Sequence, residues 1–145
     1  MLKIESTAVI NRPIEEVFAV LSNAENNPKW SSAFLEVQKT SDGPIGVGTT
    51  WQGLGKFLGK QIEVELEETE YEQNRKSAQK STVPFPVNQQ MTFESVDGGT
   101  RVNVRFEADP GGFFKLAEPL LAGMVKRNVE GELANLKDLM EAHAL

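Results

Sequence analysis

The sequence predicts an α+β fold: a seven-stranded, curved antiparallel sheet wrapped round one long C-terminal helix, with two short helices after the first strand. Three observations carry this expectation. Ile62, Val64 and Leu66 alternate with Glu63, Glu65 and Glu67, and Val102, Val104 and Phe106 alternate with Arg101, Arg105 and Glu107. That is the period of a strand with one apolar face and one wet face. The turn Asp97-Gly98-Gly99 separates Val87–Val96 from Thr100–Ala108, so turn chemistry and alternation agree on a hairpin. From Phe113 to Ala144 the spacing of apolar residues becomes helical, giving an element about 48 Å long at the helical rise.

The elements follow in order. Leu2 to Asn11, rich in Ile, Val and Thr, reads as the first strand. Pro13 opens a helix at a position where its missing N–H costs nothing, and Ile14, Val17, Phe18 and Leu21 recur at helical spacing through Ser22. Asn26-Asn27-Pro28 breaks that helix, and Lys29 to Phe34 forms a second short one carrying Trp30. A strand through Val37 ends at Ser41-Asp42-Gly43-Pro44. Strands follow over Thr49–Phe57, from Ile62 toward the Gln73-Asn74 turn, and over Arg75–Thr82. Val83-Pro84-Phe85-Pro86 interrupts the sheet before the hairpin, and Asp109-Pro110-Gly111-Gly112 ends it. In the long helix Phe113, Ala117, Leu120, Leu121 and Met124 cluster on one face. Val129, Leu133, Leu136 and Met140 cluster roughly 100° round from it. The two halves are therefore expected to touch different things, with Pro119, Gly123 and Gly131 as candidate bends. A chain of 145 residues without repeat or linker is one domain, 1–145.

Composition excludes several chemistries. Cysteine is absent, which removes disulfides, thiolate nucleophiles and cysteine-bound metal. The single histidine, His143, lies three residues from the C-terminus, so neither a Ser-His-Asp triad nor a His-rich metal site is supported, and no metal and no cofactor are expected. Twenty-one acidic residues against fifteen basic ones give a net charge of −6, with Lys126-Arg127 the longest basic run. Such a surface repels phosphate backbones, so nucleic acid is not an expected partner. No signal-peptide layout and no apolar run long enough for a membrane span occur, and the expectation is a soluble cytoplasmic protein, monomer or dimer. Gly53-Leu54-Gly55 lies in a strand with no helix after it, so it is no phosphate loop. The acidic run Glu63, Glu65, Glu67, Glu68, Glu70 and Glu72 reads as a solvated outer face that keeps the sheet from pairing with others.

The residues Val9-Ile10-Asn11-Arg12-Pro13-Ile14-Glu15-Glu16-Val17-Phe18, Asn27-Pro28-Lys29-Trp30, Gly46-Val47-Gly48-Thr49 and Glu132-Leu133-Ala134-Asn135-Leu136-Lys137 occur in the order and at the spacing of a known family. Through them the chain resembles, over essentially its whole length, the START-like or SRPBCC superfamily with its helix-grip fold. That superfamily holds polyketide cyclases, lipid-transfer domains and the birch-pollen-allergen type. The likeness is greatest to small bacterial members of polyketide cyclase/dehydrase-like type. These matching pieces are scaffold signatures; what the resemblance implies is a pocket for an apolar small molecule, without fixing a reaction.

A curved sheet gripped by the second half of the helix leaves space under the first half. The expected walls of that space are Trp30, Trp51, Phe85, Met91, Phe114, Leu121 and Met124. Tryptophan suits a cavity mouth and Met beside Phe an adaptable wall, while core packing accounts for the same residues equally simply. Asn128 is the expected polar contact. Glu132 falls beside it on the helix, either facing the sheet or on a solvated face. Arg101 and Arg105 face outward by alternation, and no acid/base pair is assignable, so no catalytic residue is named. Three functions stay open. The first is binding of an apolar or amphipathic ligand, lipid-like, polyketide-like or aromatic. The second is a cyclase, aromatase or dehydratase using the same cavity. The third is a cochaperone-like interaction module. An ionisable side chain in the cavity would favour the enzyme, an apolar cavity simple binding, and a filled interior with an exposed apolar patch interaction.

Overall fold

The computed structural model describes residues 2–83, 85–111 and 116–145. The chain runs β1 (Leu2–Ile10), α1 (Ile14–Leu21), a 3₁₀ turn (Ala24–Asn26), α2 (Asn27–Trp30), β2 (Phe34–Lys39), β3 (Thr50–Phe57), β4 (Lys60–Glu72), β5 (Lys76–Ser81), β6 (Val87–Val96), β7 (Gly99–Ala108) and α3 (Glu118–Glu141). All seven strands pair antiparallel in the order β1-β7-β6-β5-β4-β3-β2. The chain therefore crosses the sheet once, from β1 at one edge to β2 at the other, and α1, the 3₁₀ turn and α2 make that crossing.

The alternation seen in the sequence sets the faces. Val64, Val102 and Val104 are buried, whereas Glu63, Glu65, Arg101 and Arg105 are exposed. Register follows: Phe93 lies opposite Val102 and Met91 opposite Val104, so the inner face of the hairpin is continuous apolar surface. The main core joins that face to α1 through Val17, Phe18 and Leu21 and to α3 through Leu133, Leu136 and Met140. Phe18 meets Phe93 and Tyr71 edge to face, with ring centroids 5.0 and 5.4 Å apart. A second cluster closes the far end around Leu2, Ala108 and Leu121. A third lies beneath β2 and β3, where Trp51 packs on Ala24 and Val37. Gly53 permits the curl of β2 over β3, because a Cβ there would sit 1.9 Å from the Glu36 carbonyl oxygen.

The structure differs from the sequence expectation at three places. Asn27-Pro28 opens α2 instead of breaking a helix, with Pro28 in the first turn. Pro119 likewise stands in the first turn of α3, where its missing N–H leaves no helical hydrogen bond unmade and no kink is needed. Phe113 and Phe114 lie outside the described residues. The acidic run is not one outer face: Glu68 is fully buried. The alternation that turns Ile62, Val64 and Leu66 inward also turns Glu68 inward, and a bulge between Glu68 and Glu70 then returns Glu70 and Glu72 to solvent.

Candidate functional site

A cavity of about 230 Å³ lies between the sheet and α3. Ile62, Val64 and Leu66 of β4, Val87 of β6 and Phe106 of β7 form its sheet side. Val125, Asn128, Val129 and Glu132, at helical spacing, present one face of α3 to it. Asn27, Ala33 and Phe34 close one flank, and Phe57, Val83 and Phe85 another. Phe57 and Phe85 meet edge to face at 5.4 Å, which ties the β3–β4 hairpin to the loop before β6. Lys56, Lys80 and Asn128 are exposed and mark where the cavity reaches solvent.

Of the residues expected from sequence, Phe85 and Asn128 line this cavity. Leu121 and Met91 stand behind its wall, buried in the second cluster and the main core respectively. Trp51 has no exposed surface and belongs to the cluster under β2 and β3. Trp30 packs against the main core, and its carbonyl accepts from Asn135 Nδ2 at 3.0 Å. Met124 is exposed, on a shallow groove with Leu58. Phe114 lies outside the described residues. The apolar helix face of Leu120, Leu121 and Met124 thus contributes one buried residue, and the cavity is lined by the face one step round, Val125-Asn128-Val129-Glu132.

Two carboxylates on the inner face shape the electrostatics. Glu68 accepts from the Ser77 hydroxyl at 2.5 Å, the Ala78 amide at 3.2 Å and Gln79 Nε2 at 3.1 Å. Burial pushes its carboxyl up to about 6, against those three hydrogen bonds, which pull it down. Gln79 itself lines the cavity, so the network reaches the cavity wall through it. Glu132 enters the cavity from α3, and burial holds its carboxyl above the usual carboxylate range. The Ser31 hydroxyl, the Ala33 amide and the hydroxyl and amide of Ser32 lie near enough to favour its charged form. None of them closes a hydrogen bond on Oε1, which is buried without a partner. Sequence reasoning misses Glu68 because it treats the acidic run as a unit; the parity of Glu68 with Ile62, Val64 and Leu66 is the available signal. Among the described residues no group of His, Asp and Glu side chains is placed to hold a metal ion. No described helix is long and apolar enough to cross a membrane.

A long helix gripped by a seven-stranded antiparallel sheet, with a cavity between them, defines the START-like helix-grip class. The chain belongs to the family described as polyketide cyclase / dehydrase and lipid transport, which it matches over residues 1–141. No protein of curated function matches it. Several solved structures share its fold. TTHA0849 from Thermus thermophilus superposes with a TM-score of 0.78 at 19% identity, over 99% of each chain. Ara h 8.0201 does so with a TM-score of 0.73 at 18% identity, over 97% of each chain. The di-domain ARO/CYC protein StfQ of the steffimycin biosynthetic pathway gives a TM-score of 0.78 at 14% identity, over 99% of this chain and 51% of StfQ. At these identities the likeness is one of fold.

Proposed function

We propose that this chain binds an apolar or amphipathic small molecule, lipid-like, polyketide-like or aromatic, in the cavity between the sheet and α3, as a cytoplasmic binding protein. The observation that carries the reading is the cavity itself: about 230 Å³ left open among Ile62, Val64, Phe85, Phe106, Val125 and Val129 in a chain this small. Well-packed interiors leave few voids larger than a water, and pockets for small molecules are apolar concavities with a few placed polar groups. The family's description, which includes lipid transport, agrees with it. Affinity would come from apolar burial, at about 25 cal/mol per Å² before ordering costs.

The test uses N-phenyl-1-naphthylamine, a neutral probe that fluoresces on leaving water. The full chain should bind it saturably at one site. Val125→Phe, which puts a ring into the cavity from α3, should weaken that binding by at least about tenfold while the variant melts within a few degrees of the parent. A parent protein that leaves the probe dark, or a variant that binds it as well as the parent, would overturn the reading.

Glu132 favours a second reading, in which the cavity is that of a cyclase, aromatase or dehydratase. A carboxyl that lines the cavity and that burial holds above its usual range suits proton transfer to or from a bound substrate. Incubation with a short poly-β-ketone thioester, followed by mass spectrometry, addresses it. Cyclised or dehydrated product formed by the parent and lost in Glu132→Gln would support the enzyme; product no faster than in buffer would exclude it for that substrate class.

A further inference from the structure

The two inward carboxylates differ in a way that bears on the ligand. Both oxygens of Glu68 are occupied: Oε2 by Ser77 and Ala78, Oε1 by Gln79. Its role is complete within the fold. Glu132 lines the cavity, and its Oε1 is enclosed with no hydrogen-bond partner. Leaving a buried acceptor unpaired is costly, the more so for a charged group. The same carboxyl borders the cavity, so a ligand that brings a donor to it adds to the partners that Ser31, Ser32 and Ala33 supply. The lysines at the cavity, Lys56 and Lys80, are exposed at its edge. They suit an anionic group at the mouth and leave the acceptor on α3 to a different kind of head.

We propose that Glu132 is the polar anchor of the cavity, and that the ligand it selects has an apolar body and a hydrogen-bond-donor head, a hydroxyl or an ammonium, directed at the Glu132 carboxyl from within the cavity. Asn128, one turn earlier on the same face of α3, lines the site beside it and offers both a donor and an acceptor to the same head. This inference rests on the ligand-binding reading above and goes further in naming the head group.

A matched series on one body tests it: 2-naphthylmethanol, protonated 2-naphthylmethylamine, 2-methylnaphthalene and 2-naphthoate, each displacing N-phenyl-1-naphthylamine from the full chain at neutral pH. At least one donor-headed compound should bind about tenfold tighter than 2-methylnaphthalene, whereas 2-naphthoate, whose charge suits Lys56 and Lys80 at the mouth, reports on that edge and not on Glu132. Preference for the amine over the alcohol identifies a charged pair; the reverse identifies a neutral hydrogen bond. In Glu132→Leu the advantage of the donor heads over 2-methylnaphthalene should vanish, and a cooperative thermal melt checks that the variant is folded. If neither donor-headed compound binds tighter than 2-methylnaphthalene, or if the donor advantage survives in Glu132→Leu, the inference falls while ligand binding stands. If neither the reporter probe nor any of the four binds, both fall together.

Discussion

Glu68 shows how a single inward carboxylate couples the fold to pH. The residue has no exposed surface, yet it carries an ionisable group on the apolar face of β4. Its folded-state pKa of about 6 lies above the ordinary 4.5. Between those values the folded protein keeps a proton that the unfolded chain has released. The stabilisation from that proton is complete below about pH 4.5 and is lost as the pH rises through about 6. A shift of that size corresponds to about 2 kcal/mol. Glu68→Gln removes the titration and keeps an acceptor for Ser77 and Ala78, with the Gln79 amide free to turn its oxygen toward the new donor. Urea unfolding of both proteins should therefore show the variant gaining about 2 kcal/mol on the parent between pH 4.5 and pH 7.5. A stability difference that stays constant over that range would show that Glu68 does not titrate there. The same residue marks how legible single positions are. Parity is a property of the strand and predicts which way a side chain points; Glu68 obeys it. Composition, which argues that glutamates face water, points the other way, and three donors on β5 decide the matter by making burial tolerable.

Elements are legible where one period holds over several residues. The β6–β7 hairpin and the inward set of β4 follow from alternation and a glycine turn, because a one-residue slip would expose every apolar side chain at once. The second half of α3 is legible for the same reason: Leu133, Leu136 and Met140 recur at helical spacing and are all buried. The first half is not. Its apolar residues outnumber what one face can bury, and sequence alone does not choose among them. Tertiary packing chooses Leu121, Val125 and Val129, and leaves Leu120 three-quarters exposed at 75%. The two tryptophans are ambiguous in the same way, since a large ring fits a core and a cavity mouth equally well. This contrast within one helix is measurable. Leu136→Ala empties a site with no exposure and should cost about 2–5 kcal/mol. Leu120→Ala, equally apolar in sequence, should change stability by no more than about 0.5 kcal/mol. Comparable losses from both substitutions in a denaturant melt would mean that the first half of α3 packs against something as tightly as the second.

At the scale of the whole molecule, the cavity exists because the core is divided. One cluster joins α1 and the second half of α3 to the β6–β7 hairpin, another closes the far end at Leu2, Ala108 and Leu121, and a third sits beneath β2 and β3 around Trp51. The space between them is bounded by side chains from β4, β6, β7 and α3. A ligand seated there would add apolar contacts with elements from every part of the sheet, and it would bind the folded state alone. Mass action then predicts its effect on stability. At a free concentration about a hundred times its Kd, a ligand adds roughly 3 kcal/mol. For a domain near this size each kcal/mol raises Tm by roughly 2–4 °C, so saturating N-phenyl-1-naphthylamine should raise the melting temperature by about 5–10 °C. Val125→Phe separates this from non-specific binding. It fills part of a space that the parent leaves empty, so the unliganded variant should melt no lower than about 3 °C below the parent, and the probe should no longer shift it. A shift of equal size in parent and variant would place the probe outside the cavity. A variant that unfolds at ordinary temperature would show that the region around Val125 is already close-packed, and that the three clusters form one continuous core with no room for a ligand.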